Sequence, residues 1–197
     1  MHKINRPACP HPAALEAKNY KHPTNKAVLQ EASHGKCMYC ETNIGATYPG
    51  DVEHIKPKGI AKYKHLEFAW SNLGFVCWRC NNNKSDLYDD SFPFIDPYID
   101  EPTEHFDALC QVLFPKLGDQ RAETTIEVIK LNRDDLVTAR MDAIYHIKSA
   151  AESAMAATSP LLRKARLETL KKLCEPNAQY SFVCRPVVER YLEQLAE

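Results

Sequence analysis

The chain has 197 residues, 44% hydrophobic and 26% charged, enough to bury a core in one or two domains. A formal net charge of −1 speaks against a free-standing, high-affinity nucleic-acid binder, because such proteins carry a basic excess. No stretch approaches the ~18 consecutive apolar residues of a transmembrane helix. No apolar run follows the basic residues near the start, so a cytoplasmic protein without a secretory signal is expected.

Three segments are expected in chain order: 1–36, 37–110 and 111–197. In the first, Pro7, Pro10, Pro12 and Pro23 make 5–23 irregular or lightly helical. Thr24 is placed to cap a short helix over 24–34, with Gly35 as its left-handed stop. In the second, short strands are expected over 51–55 and 74–77, and a helix from about Cys80. An acidic, proline-bearing stretch over 86–107 reads as a surface loop or wrap. The third reads as helical. Asn132 can cap a long helix over 133–157 whose Leu136, Ala139, Ala143, Ile147 and Ala150 form one apolar face. Ser159 and Pro160 start the next helix, bounded by Pro176. Pro186 is placed to open the last, where Val188, Leu192 and Leu195 share a face.

Charge is uneven along this plan. Positions 51–84 hold six Lys or Arg against three acids, whereas 85–110 hold eight acids and no Lys or Arg. Positions 161–173 hold five basic residues and one acid.

Four of the eight cysteines form two C-x2-C pairs, Cys37/Cys40 and Cys77/Cys80. Without a secretory signal, this spacing points to metal rather than disulfides. Two residues between thiols let both sulfurs of a turn reach one ion. Two such turns close a tetrahedral shell, which suits structural zinc, with no position left for a substrate. The interval between the pairs is long for a compact zinc finger, so a module must sit between them. Cys9, Cys110, Cys174 and Cys184 are scattered and read as ordinary buried small residues.

Between and within these turns lie Asp51-Val52-Glu53-His54-Ile55-Lys56-Pro57-Lys58, then Trp70-Ser71-Asn72-Leu73, then Cys80-Asn81-Asn82-Asn83-Lys84. In order and spacing these runs resemble the HNH nuclease superfamily over roughly residues 37–86. The resemblance implies an α+β fold: a ββα-metal core, here joined to a four-cysteine zinc site and followed by a mainly α-helical C-terminal half. It implies phosphodiester hydrolysis. His54 is the candidate base, since neutral imidazole accepts a proton near pH 7. Glu53 and Asn81 match the family's ligands for a catalytic Mg²⁺ or Mn²⁺, which hard oxygen donors suit. Asn81 is favoured over Asn82 and Asn83 because C-N-x-x-K is the usual form. Neighbours on a strand face opposite ways, so Glu53 and His54 share a site only if the strand ends or bends there. Asn72 matches the family's middle Asn, which ties down the loop carrying the base. Lys56, Lys58 and Lys84 are candidate phosphate contacts.

Further runs extend the likeness. Cys40-Glu41, Phe68-Ala69-Trp70, Asp96-Pro97, Thr125-Ile126 and Leu131-Asn132-Arg133 resemble the HNH nuclease subunits of retron-linked and Septu-type anti-phage systems. That resemblance implies an ABC/SMC-like ATPase partner and a defence role. DNA is the first expectation for the substrate, although a phosphodiester looks alike to this site in DNA and RNA, and no membrane association is expected. An RNA- or tRNA-cutting effector with the same site, and a non-catalytic zinc module binding nucleic acid or protein, are the rival readings. The acid–histidine pair beside a helix-borne Asn argues against the last, which has no need of it.

Overall fold

The computed structural model describes residues 1–45 and 48–196. Proline at the first helical position, where its missing N–H costs nothing, opens α1 (Pro12–Glu16) and α2 (Pro23–Ala32). Thr24 therefore lies inside the first turn of α2 and caps nothing, contrary to expectation. Gly35 adopts φ +72°, as a left-handed stop requires, and its N–H donates to Gln30 O at 2.7 Å.

The strands β1 (Asp51–His54) and β2 (Leu73–Val76) pair antiparallel, with Asp51 opposite Val76 and His54 opposite Leu73. The helix α3 (Trp78–Lys84) follows directly, giving the expected ββα order. The excursion between the strands includes two 3-10 turns, Ala61–Leu66 and Trp70–Asn72. The first cysteine turn lies flat on β2, where Met38 N donates to Phe75 O at 3.0 Å. Gly74 permits this approach, because a Cβ there would come 2.3 Å from Met38 Sδ.

The acidic stretch is a wrap with a buried inner side: Phe94, Ile95 and Tyr98 enter the core. It is stitched down by α5 (Gln120–Ile129). Arg121 Nη2 donates to Asp100 Oδ2 at 2.6 Å, and Ile95 N donates to Thr125 Oγ1 at 2.9 Å. Asp90 pairs with Lys62 and Asp107 with Lys116, so several of these acids are compensated rather than bare. After α4 (Pro102–His105) comes a hairpin that the sequence reading lacks, β3 (Phe106–Leu109) with β4 (Val112–Pro115). It runs across the division expected between 110 and 111. Cys110 sits at its turn with φ +52° and is exposed; Cys9 and Cys174 are half-buried, and Cys184 alone of the scattered four is buried.

The C-terminal half is helical: α6 (Asp134–Met155), α7 (Pro160–Lys172) and α8 (Ser181–Ala196). Leu136 and Ile147 are buried on α6, with Ala139, Ala143 and Ala150 packed beside them. Arg140 is buried too, its Nη1 donating to Leu131 O at 2.9 Å. Asn132 does not cap α6. Its side chain clasps Leu113 of β4, accepting from N at 3.0 Å and donating to O at 2.8 Å. Ser159 caps α7 as expected, accepting from Leu162 N at 3.2 Å.

The last helix begins before Pro186, which lies inside it. The reason is Glu41, beside the first cysteine turn. Its carboxylate accepts from Ser181 Oγ at 2.8 Å and from Phe182 N at 3.0 Å, the second a backbone donor that a helix start otherwise leaves bare. Buried Lys36 donates to Glu41 at 3.2 Å, to Pro176 O at 2.6 Å and to Ala178 O at 2.9 Å. Removing one partner of such a buried pair costs roughly 3–5 kcal/mol. One core runs from Leu15 and Leu29 through Phe75, Phe106 and Leu136 to Val183 and Val188.

Candidate active site and zinc centre

Two local turns bring the four thiols together. In the first, Glu41 N donates to Cys37 O at 3.0 Å and Cys37 N to Thr42 O at 2.9 Å. In the second, Cys77 is the residue before α3 and Cys80 lies in its first turn. The sulfurs of Cys37, Cys40, Cys77 and Cys80 all lie within 4.8 Å of one another, and all four residues are buried. Four soft donors closing on one point fit structural zinc and leave no open position. A zinc tetrathiolate carries excess negative charge. The Arg133 guanidinium, 3.7 Å from Cys80 Sγ, is placed to offset it. The ion would hold the start of α3, and Asn81 is the next residue along.

Beside this centre is a cleft of about 330 Å³ whose walls include Tyr20, Asp51, Glu53, His54, Lys58 and Asn81. Asp51 and Glu53 are two apart on β1 and so share a face. His54 is the last residue of the strand, which lets it open on the same cleft despite its opposite parity. Glu53 is only 3% exposed and Lys84 Nζ lies 2.6 Å from its Oε1. Burial pushes the Glu53 carboxyl up, against the pull of Lys84. His54 Nε2 lies 2.9 Å from Glu67 O. A carbonyl only accepts, so Nε2 carries the proton, and Nδ1 of the neutral ring has a free lone pair. Burial pushes this imidazole below its ordinary pKa, outweighing the Glu67 carbonyl, which keeps it neutral at pH 7.

Asn72 fastens the segment after His54 at both ends. Its Oδ1 accepts from Lys56 N at 2.8 Å, and its Nδ2 donates to Lys56 O at 3.0 Å and Leu66 O at 3.2 Å. On α3, Asn81 Nδ2 donates to Asp51 Oδ2 at 3.2 Å, leaving its carbonyl oxygen free for another partner. Asn83 is turned away, onto Ile129 O at 2.9 Å, and Asn82 is exposed.

The three lysines separate. Lys58 lines the cleft half-exposed. Lys56 lies over the rings of Tyr63 and Tyr88, at 5.5 and 5.8 Å. Lys84 is 1% exposed and donates to His54 O at 2.9 Å as well as pairing with Glu53, so it braces the acid–histidine pair and is not open to a phosphate. Sequence reasoning passed over Asp51, although its spacing from Glu53 was the available signal. It also passed over Tyr20, for which no motif exists. The oxygens of Asp51, Glu53 and Asn81 are hard donors and fit Mg²⁺ or Mn²⁺.

Residues 37–87 match the family model of HNH endonucleases. Over 122 residues the chain is 37% identical to the Septu protein PtuB of Bacillus thuringiensis, covering 60% of this chain and 46% of that protein. Over 153 residues it is 29% identical to the Septu protein PtuB of Bacillus mycoides (strain KBAB4), covering 61% and 51%. The chain spans about half the length of the curated relatives it matches.

Proposed function

We propose that this chain is a metal-dependent endonuclease cutting DNA as the effector of a Septu-type defence system, because residues 37–87 match the HNH endonuclease model and include four cysteines that fit zinc. The observation that carries the reading is His54, neutral and held through Nε2 by Glu67 O, in one cleft with Asp51, Glu53 and Asn81. In the proposed reaction Nδ1 takes the proton of the attacking water. Glu53 and Asn81, with Asp51 alongside, would hold a divalent ion that supplies charge neutralisation at the phosphate and the departing 3′ oxygen. Lys58 would meet a neighbouring phosphate, and Asn72 fixes the loop that follows the base.

The test is incubation with Mg²⁺ or Mn²⁺ on supercoiled plasmid and, in parallel, on bulk tRNA, alone and with a co-expressed ATPase. Cutting of tRNA alone moves the substrate to RNA. No cutting of either, with metal and partner present, rejects the nuclease. Asn81→Ala is expected to lower cleavage mainly through weaker binding of the catalytic ion. Raising Mn²⁺ should then restore much of the rate; a loss that no metal concentration relieves would remove Asn81 from the ligand set.

The proposed partner is an ABC/SMC-like ATPase in the cytoplasm. A net charge of −1 leaves the chain little non-specific affinity for DNA, which is supplied by Lys and Arg neutralising phosphates. Helix α8 is committed to the fold through Glu41 and Lys36, so truncating the helical half would strip groups the first cysteine turn needs. Helix α7 is freer, with Leu161 81% and Leu162 40% exposed beside its basic run. Arg163 and Arg166 are spent on Leu195 O and Ser153 O and Lys171 pairs with Glu168 at 2.8 Å, which leaves Lys164 and Lys172 for a partner. Combining Leu161→Ser with Lys164→Glu and Lys172→Glu is expected to abolish co-elution with the ATPase at unchanged melting temperature. Unaltered co-elution would place the interface elsewhere.

A further inference from the structure

One wall of the cleft comes from outside the matched segment. The turn between α1 and α2 is pinned by Asn19 N donating to Ala14 O at 2.8 Å, with Lys18 in the left-handed region at φ +61°. It delivers Tyr20, half-buried, edge-on to the His54 ring at 4.5 Å between centroids and 70° between planes. Lys58 Nζ donates to the Tyr20 hydroxyl at 2.7 Å and sits 4.4 Å from the centre of its ring. On its other side the same ammonium lies 3.8 Å from a Glu67 carboxylate oxygen, and Glu67 O is the acceptor for His54 Nε2.

We propose that Tyr20 is a positioning residue of this site, its ring setting the plane of the His54 imidazole and its hydroxyl mooring Lys58 over the cleft. The hydrogen bond to Glu67 O fixes one ring nitrogen but leaves rotation about that bond. An aromatic edge against the ring removes this freedom, and Nδ1 then keeps one direction. The hydroxyl acts separately. A lysine ammonium has a flexible four-carbon stem, and tethering it between Tyr20 and Glu67 holds its charge at the cleft mouth, with a donor left for a phosphate oxygen. Ring and hydroxyl therefore serve two steps, proton transfer and substrate binding, which separates this role from mere packing.

The kinetic part of the test rests on the nuclease reading; the spectroscopic part does not. Tyr20→Ala and Tyr20→Phe are made in the full chain, with zinc content and melting temperature as checks on folding. On a labelled DNA duplex with Mn²⁺, Tyr20→Ala is expected to lower kcat ~10–100-fold, the scale of a reacting group misplaced by about 1 Å. Tyr20→Phe should recover most of that kcat while KM rises up to about tenfold, for one lost charge-assisted hydrogen bond. In ¹⁵N-histidine spectra of protein free of added divalent metal, the His54 signals should broaden or split in Tyr20→Ala and keep their wild-type form in Tyr20→Phe. If the wild type cuts nothing while the imidazole signals respond in this way, the positioning role stands and the nuclease reading falls. Wild-type kcat with unmoved His54 signals in Tyr20→Ala overturns the proposal, as does a loss of activity that merely follows a fall in melting temperature.

Discussion

Cys77→Ser is expected to release zinc and to unfold the front of the protein rather than merely slow it. Structural zinc in small domains contributes on the order of 10 kcal/mol or more to folding, which is comparable to the whole stability of a typical domain. Cys77 is the residue on which α3 begins, and its sulfur lies 3.8 Å from that of Cys40 in the other turn. Losing it unties the helix bearing Asn81 and Lys84 from the turn that lies on β2. The purified wild type should hold one zinc ion per chain. The variant should hold far less, with a melting temperature lowered by tens of degrees or an insoluble product. Wild-type protein without zinc, or a variant that melts as the wild type does, would rule out the structural centre.

His54→Ala is expected to act on the opposite side of the ledger, removing strand cleavage while sparing the fold. Losing a general base costs ~10²–10⁴-fold in rate. The His54 side chain makes its hydrogen bond to a loop carbonyl, whereas the backbone of the same residue, paired with Leu73 and accepting from Lys84, stays in place. Zinc content and melting temperature should remain near wild type. Full metal-dependent cleavage by the variant would remove His54 as the base.

The ββα order and the residues around the cleft were legible because the runs near His54, Asn72 and Asn81 are dense in residue types with few structural alternatives at that spacing. The hairpin at 106–115 was not. Its turn lacks the Asn-Gly or Gly-X pair that marks a tight hairpin, and apolar Leu109, Val112 and Phe114 on its outer face blur the alternation. Asn132 looked like a cap because Asn favours that position, but a clasp on a strand 19 residues earlier uses its side chain first. Pro186 looked like a helix start because the carboxylate that begins α8 is supplied by Glu41, 141 residues before Phe182. Thr125 and Arg133, noted only within familiar runs, fasten the wrap and meet the sulfur of Cys80, while Asn132, expected as a cap, fastens the hairpin. Tyr20 was invisible for a related reason: what it touches is 34 positions away in ring contact and 38 in hydrogen bonding, and one tyrosine in a proline-rich lead-in carries no pattern.

The pairing of Lys36 and Glu41 with the last helix also sets an order of events during translation. All four cysteines have left the ribosome long before residues 176–182 are made. Zinc can therefore be captured while Lys36 still lacks Pro176 O and Ala178 O, which come 140 and 142 positions later. Until then the Lys36–Glu41 pair has only the start of the chain for company, with His2 Nδ1 2.7 Å from Glu41 Oε1 and the Met1 ammonium 3.7 Å from Oε2. A front module that takes up its metal at that stage would be loosely closed, its polar seal forming only when the final helix arrives.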